Sequence, residues 1–246
     1  MKLGLFFMPV HRPEKPWAQA LAEDREAALL ADRCGYAEVW MGEHFSTKVE
    51  QVPAPLMFLA TLIHETQNIR FGTGVVNLGH RHPIVVAAEA AQFDQLSGGR
   101  LILGVGPGGL MSDGELFGRP EMADRVKVAV ESIDMITTLW KAQAPFDLQS
   151  ETWQSTLQTQ IWPSHGVGEL CRPLQQPHPP IAMAMVIDSA RVRQEAGLSP
   201  RVRGAAAAIR AWQHGKPAPP PNANAQRSWP PPALVDRKST RLNSSH

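Results

Sequence analysis

The stretch WMGEHFST, residues 40–47, places two ionisable side chains where an apolar segment gives way to a polar loop. Glu43 and His44 directly follow the second predicted strand, and in parallel α/β folds the catalytic groups collect at the carboxyl ends of strands. A histidine there can exchange a proton with a ligand, and a neighbouring carboxylate can fix its tautomer. The two residues are therefore candidate catalytic residues, although their spacing also suits an ordinary surface loop.

A cluster of glycines, GVGPGG at residues 104–109, follows the fourth predicted strand and satisfies the pattern G-x-G-x-x-G. In dinucleotide-binding folds this pattern lies in the first strand–helix turn, with a helix N-terminus directed at the pyrophosphate. Here Pro107 interrupts it, and the next predicted helix begins only at residue 122. A nicotinamide-binding Rossmann domain is thus kept as an alternative. The favoured interpretation is backbone that closely approaches a flat ligand.

The third predicted strand also carries unusual residues. Gly72 and Gly74 would weaken a central strand unless the backbone must approach a ligand closely, and Asn77 offers an amide to the edge of a heterocycle. His80 and His82 have the residue type of metal ligands, but no third ligand stands at a usable spacing. Because His82 precedes a proline, we interpret the histidines as capping or loop residues and predict no metal site.

Five apolar strand segments alternate with four helical segments. The predicted strands are residues 2–8, 37–41, 69–78, 100–105 and 180–186, and the predicted helices are 17–34, 56–65, 83–96 and 122–142. Strict alternation implies an α/β fold with a parallel sheet and right-handed crossovers, but does not decide between an open sheet and a closed barrel. Residues 143–179 are too long for an ordinary connection and are predicted to be an insertion.

Composition narrows the class of protein. Of 246 residues, 43% are hydrophobic and 19% charged, and the formal net charge of +1 gives no reason to expect nucleic acid or an anionic membrane as partner. No apolar run approaches the ~18 residues of a membrane helix. The apolar start is interpreted as a buried strand, since no signal-peptide cleavage pattern follows it. Two cysteines are too few for a disulfide framework, so we expect a cytoplasmic protein.

The C-terminal part has a different amino-acid composition. Residues 201–246 are rich in Arg, Ala and Pro and show no strand pattern. One interpretation is a disordered Pro/Ala linker. The other is out-of-frame translation, which the last eleven residues, DRKSTRLNSSH, favour because they match the translation of a common sequencing adapter. We therefore expect 201–246 to be an aberrant, disordered tail and residues 1–200 to form the folded part.

Several of these motifs together resemble one family. AEVWMGEHF at residues 37–45, IRFGTGVVNLGHRHP at 69–83 and the D-x-L-S-x-G-R run at 94–100 look like the bacterial luciferase-like flavin monooxygenases, and GVGELCRP at 166–173 is similar to the limonene monooxygenase group. The resemblance implies a (β/α)8 TIM barrel. Since only five strands are predicted, this chain would form an incomplete barrel of about five βα units.

The resemblance also implies a chemistry. Reduced FMN, supplied by a separate flavin reductase, would react with O2 to give a C4a-peroxyflavin that oxygenates a small terpene-like or ketone-like substrate. The implied site places His44, with Glu43, beside the reactive edge of the flavin. The other implied cofactor-binding residues are Gly74 and Val75, at a non-proline cis peptide under the ring, with Asn77, Gly106, Pro107 and Ser189.

Two further expectations concern the whole protein. The full-length parent is expected to be a homo-oligomer, and this shorter chain is expected not to fold to an active enzyme, because an incomplete barrel leaves strand edges and part of the core open. The alternatives are a deazaflavin-dependent oxidoreductase of the same superfamily and a non-catalytic fragment.

Overall fold

Strands and helices alternate along the part of the chain that the computed structural model describes, residues 3–184. The first eight elements are β1 (Gly4–Phe7), α1 (Trp17–Arg33), β2 (Glu38–Met41), α2 (Pro55–Ala60), β3 (Arg70–Thr73), β4 (Val76–Asn77), α3 (Pro83–Leu96) and β5 (Leu101–Gly106). The next are α4 (Met111–Leu116), α5 (Met122–Leu139), β6 (Phe146–Gln149), β7 (Gln154–Leu157) and β8 (Ile181–Met183).

One parallel sheet runs through these elements. Its order is β1-β2-β3-β5, β4 continues the line of β3 and pairs with β5, and β8 also pairs with β5. The strands are in register, with Leu5 opposite Val39, Val39 opposite Phe71 and Phe71 opposite Leu101. The five predicted strand positions therefore lie side by side and parallel, which confirms the α/β prediction.

The hydrophobic core lies between this sheet and the helices. Alternate strand residues point to the same face, and on the helix-covered face Val39, Phe71 and Leu101 have no exposed surface. The Phe71 ring contacts Phe93 of α3 edge to face, with the ring centroids 5.7 Å apart. Helix α3 begins at Pro83, a favourable first-turn residue, and the His82 side chain accepts a hydrogen bond from the Ile84 N–H.

Residues 143–179 contain the antiparallel β6–β7 hairpin and one 3-10 turn, Pro163–His165. The hairpin is attached to α5. Glu131 accepts hydrogen bonds from the Ser150 hydroxyl and the Thr152 N–H, and the Trp153 indole N–H donates to the Ser132 hydroxyl. This long connection therefore packs on a helix and adds no strand to the parallel sheet.

Some local expectations were wrong. The third predicted strand is divided into β3 and β4, the second predicted helix ends at Ala60, and residues 111–116 form a helix rather than a loop. The apolar spacing of Ala27, Leu30, Ala31 and Cys34 predicts that these residues form the buried face of α1. The helix instead buries Ala28 and Ala31, whereas Leu30 and Cys34 are exposed, so the buried face is rotated from the predicted one. No helix within residues 3–184 has both the length and the apolar character to cross a bilayer.

Candidate functional site

A cavity of about 200 Å³ opens at the carboxyl ends of β1, β2 and β4. Its wall is formed by strand-end and loop residues: Met8, Pro9, Gly42, Glu43, His44, Glu50, Val52, Gly74, Val75, Asn77 and Gly109. Five predicted site residues thus meet in one wall, namely Glu43, His44, Gly74, Val75 and Asn77. They come from different strand–helix connections, because parallel strands bring all their carboxyl ends to the same edge of a sheet.

His44 lies between two carboxylates. Its Nε2 is 2.8 Å from Oε2 of Glu50, and its Nδ1 is 3.5 Å from Oδ2 of Asp113. About a fifth of the histidine side chain is exposed. Glu50 is on the same loop, which folds back so that the His44 N–H donates to the Val52 carbonyl. A histidine held in this way can donate or accept a proton at the cavity wall.

Asp113 was missed by sequence reasoning because residues 110–121 were expected to form a loop. In the first turn of α4, its carboxylate accepts hydrogen bonds from the backbone N–H groups of Phe45 and Ser46 and from the Ser46 hydroxyl. Burial alone would raise the pKa of Asp113, but these hydrogen bonds outweigh it and hold the pKa below its usual value. Asp113 therefore fixes the loop that carries His44.

Glu43 is buried, with 2% of its surface exposed. Its Oε1 accepts a hydrogen bond from the Asn77 N–H, the Asn77 side-chain amide donates to its backbone carbonyl, and Nε of Arg81 lies 3.1 Å from its Oε2. Burial raises the pKa of Glu43 to about 7, although Arg81 and the Asn77 N–H act in the opposite direction. The carboxylate thus joins the ends of β2 and β4.

The peptide bond between Gly74 and Val75 is cis, as the resemblance predicts. Aromatic side chains on the same face of the sheet cover the glycines next to it. A Cβ on Gly74 would stand 2.6 Å from the Phe6 ring, and a Cβ on Gly72 would overlap the Trp40 indole. Gly72 therefore makes room for a tryptophan of the chain itself, which the sequence interpretation had not foreseen.

The remaining predicted residues lie apart from this wall. Gly106 is opposite Asn77 in the sheet, and a Cβ there would stand 2.9 Å from a Val75 methyl group. Gly106 thus packs behind the cis peptide. Pro107 follows it, and neither residue lines the cavity, whereas Gly109 does. Ser189 lies outside the described residues, as do all residues of the expected tail 201–246.

The two histidines considered as a metal pair have separate roles. His82 caps α3, which confirms the capping interpretation. His80 stacks on Phe117 with ring centroids 4.8 Å apart, and neither of its ring nitrogens has a hydrogen-bond partner. Burial, and then the nearby Arg125, lower the pKa of His80. Within residues 3–184, no group of three or more His, Cys, Asp or Glu side chains could hold a metal ion.

This cavity has features that suit part of a flavin. The cis peptide, Val75 and Val52 give an apolar wall, while His44 and Asn77 bring polar groups for the edge of a heterocycle. The wall contains two carboxylates and no lysine or arginine. A phosphate group would therefore need contacts from residues outside this wall.

A parallel sheet whose cavity opens at the carboxyl ends of its strands is the arrangement of (β/α)-barrel enzymes. The chain is similar to the solved FMN complex of a type II Baeyer–Villiger monooxygenase, the oxygenating constituent of 3,6-diketocamphane monooxygenase from Pseudomonas putida. The TM-score is 0.66 and the sequence identity 26%, and the match covers 74% of this chain and 51% of that one. The model of the luciferase-like monooxygenase family matches residues 1–198. The chain belongs to that family.

Curated relatives agree with this assignment. The chain is 39% identical over 145 residues to 4-hydroxyprotoasukamycin monooxygenase of Streptomyces nodosus subsp. asukaensis, covering 59% of this chain and 39% of the relative. It is 41% identical over 136 residues to limonene 1,2-monooxygenase of Rhodococcus erythropolis, covering 55% of this chain and 35% of the relative. An F420-dependent glucose-6-phosphate dehydrogenase of Amycolatopsis mediterranei also matches, at 33% identity over 121 residues. The chain spans less than half the length of these relatives.

Proposed function

We propose that this chain carries the flavin-facing part of an FMN-dependent monooxygenase. The observation that supports this most is the meeting of His44, Asn77 and the cis Gly74–Val75 peptide in one cavity wall. When bound, reduced FMN would supply the electrons that activate O2 for insertion into a small terpene-like or ketone-like substrate. The fold would supply a largely apolar cleft that limits the access of water.

Each residue of the cavity wall would have a separate role in binding the flavin. Gly74 and Val75 would support the flat face of the flavin. Asn77 is tied by its amide to the Glu43 carbonyl and would hold the β4 end in place beside the flavin edge. His44 would hold a proton at the reactive edge, since its ring nitrogens lie at the wall between Glu50 and Asp113. Glu43, being buried against Arg81, would support this wall.

Partners and activity of the whole protein follow the same proposal. Reduced flavin would come from a separate reductase, and the full-length parent would be a homo-oligomer. The described sheet has five adjacent strand positions, whereas a closed (β/α)8 barrel has eight. We propose that the described part of the chain binds FMN through this wall and that oxygenation needs a closed barrel.

An anaerobic calorimetric titration of photoreduced FMN into the full 246-residue chain tests this function. We expect saturable binding, weakened about tenfold in His44→Ala. His165→Ala is the matched control, because His165 is an exposed histidine on the 3-10 turn. Absence of binding, or equal weakening by both variants, would overturn the flavin proposal. Oxygenated product from limonene with O2 and a reductase would support the monooxygenase activity itself.

A deazaflavin-dependent oxidoreductase is the second candidate, because an F420-dependent dehydrogenase is among the relatives. The same titration with reduced F420 separates the two. Tighter binding of F420 than of FMN would favour hydride transfer over oxygenation. Tighter binding of FMN would favour the monooxygenase.

A further inference from the structure

Glu50 has no role in the motifs that suggested the site, yet its carboxylate forms an ion pair with Nε2 of His44. Oε2 of Glu50 lies 2.8 Å from that nitrogen, and each side chain is about one-fifth exposed. Glu50 also lines the cavity itself. An ionised carboxylate only accepts hydrogen bonds, so the nitrogen that faces it must carry a proton.

The two carboxylates beside His44 differ in their surroundings. Asp113 is buried and accepts hydrogen bonds from the backbone of Phe45 and Ser46 and from the Ser46 hydroxyl. Its position is fixed by the loop backbone, and its distance of 3.5 Å to Nδ1 of His44 is longer than a normal hydrogen bond. Glu50 therefore makes the shorter of the two contacts that orient the ring.

Loop geometry explains how Glu50 reaches the ring. The His44 N–H donates to the Val52 carbonyl at 3.2 Å, so the loop between them closes on itself. This closure places residue 50 beside residue 44, and the His11 N–H, from the segment after β1, donates to the Val49 carbonyl at 2.8 Å and holds the loop next to Glu50. Asp113 holds the outer part of this loop through Phe45 and Ser46.

We propose that Glu50 is the positioning residue for His44, accepting the Nε2 proton and so fixing the ring and its tautomer at the cavity wall. The proposal rests on the proposed function for its chemical meaning, since the ring would face a flavin. In the ligand-free chain, Nε2 of His44 is paired with the Glu50 carboxylate and would be the donor toward it. A ligand that needs this donor must compete with Glu50 for it.

The test compares two variants of the ligand-free full chain. Long-range 1H–15N spectra of the histidine rings report which ring nitrogen carries the proton, with the His44 signal identified by its loss in His44→Asn. We expect Nε2 to be protonated in the natural chain and in Glu50→Gln, which keeps an acceptor oxygen. In Glu50→Ala we expect the proton to move toward Nδ1, which faces the remaining carboxylate of Asp113. Glu26→Ala, which removes an exposed carboxylate paired with Arg33, is the control.

The spectra test the role of Glu50 independently of whether the chain binds FMN. Unchanged spectra in Glu50→Ala, or equal changes in Glu50→Ala and Glu50→Gln, would overturn the role of Glu50 even if FMN binds. The expected spectra support that role even if FMN does not bind, in which case the flavin proposal alone fails. Where FMN binds, we expect Glu50→Ala to weaken it about tenfold and Glu50→Gln by less than about threefold.

Discussion

The two faces of the parallel sheet are built from different residues. On the helix-covered face, Val39, Phe71 and Leu101 are completely buried and pack as an apolar core. On the opposite face, Phe6 is 56% exposed, and Trp40 lies over Gly72. The first face thus holds most of the apolar burial of the sheet, while the second uses glycine and aromatic rings next to the cavity. The difference indicates that stability and ligand binding rest on separate sets of residues.

Gly104→Ala should have the largest effect of the changes considered. A Cβ at Gly104 would overlap the carbonyl oxygen of Thr73 on the neighbouring strand, and neither backbone can move without separating the strands. We expect a loss of more than about 3 kcal/mol in the free energy of unfolding, measured by urea denaturation. Gly109→Ala is the matched control, since a Cβ there meets nothing within 4 Å. Similar losses in both variants would contradict this account of the glycine-rich face.

Phe71→Ala and Phe6→Ala compare the two faces directly. Phe71 is fully buried against α3, so its truncation should cost about 3–5 kcal/mol. Phe6 is more than half exposed, and its truncation should cost less than about 1 kcal/mol. Urea denaturation of both variants provides the measurement. Equal losses would show that the two faces contribute equally to stability.

Glu43→Gln tests the raised pKa of the buried carboxyl group that follows β2. Because the pKa of Glu43 is raised to about 7 from its ordinary 4.5, the folded chain binds its proton more tightly than the unfolded chain does. This contribution to stability is complete below pH 4.5 and is lost as the pH rises through about 7. The loss is on the order of 3 kcal/mol.

Urea denaturation between about pH 4.5 and pH 7 provides the measurement. The free energy of unfolding should fall less with rising pH for Glu43→Gln than for the natural chain. Glu26→Gln, which changes an exposed carboxylate on α1, serves as control and should keep the natural dependence. A Glu43→Gln profile that falls as steeply as the natural one would show that Glu43 is ionised in the folded chain throughout the range.

His80→Gln should have a smaller effect of opposite sign. Burial lowers the pKa of His80 below its ordinary 6.5, so its contribution to stability is present above pH 6.5 and is lost as the pH falls through the lowered value. The difference in unfolding free energy between the natural chain and His80→Gln should shrink on acidification. His165→Gln, at an exposed position, should show no such change. A constant difference for His80→Gln would contradict the burial argument.

Much of the fold could be predicted from the sequence. Apolar runs and their alternation with helical segments predicted the five parallel strand positions, because a buried parallel strand is apolar along its whole length. The start of α3 followed from Pro83. The buried face of α1 was wrong because that helix is rich in alanine, so several faces have similar apolar character.

The site could be predicted in part. Glu43, His44 and Asn77 were found because polar residues directly after apolar strands must lie at one edge of the sheet. Asp113 and Glu50 were missed because their relation to His44 depends on how a loop closes and how α4 packs on it. Gly72 was read as space for a ligand, whereas the Trp40 indole fills that space. Residue types alone do not show whether a glycine makes room for a ligand or for a side chain of the same protein.

The most direct test of the flavin site is a backbone and imidazole NMR titration of the isotope-labelled full chain with FMN. The account predicts saturable shift changes for the His44 ring and for the amides of Gly74, Val75 and Asn77. Residues of the β6–β7 hairpin, none of which lines the cavity, should stay unchanged. Absence of any saturable change, or changes confined to residues away from the cavity wall, would contradict it.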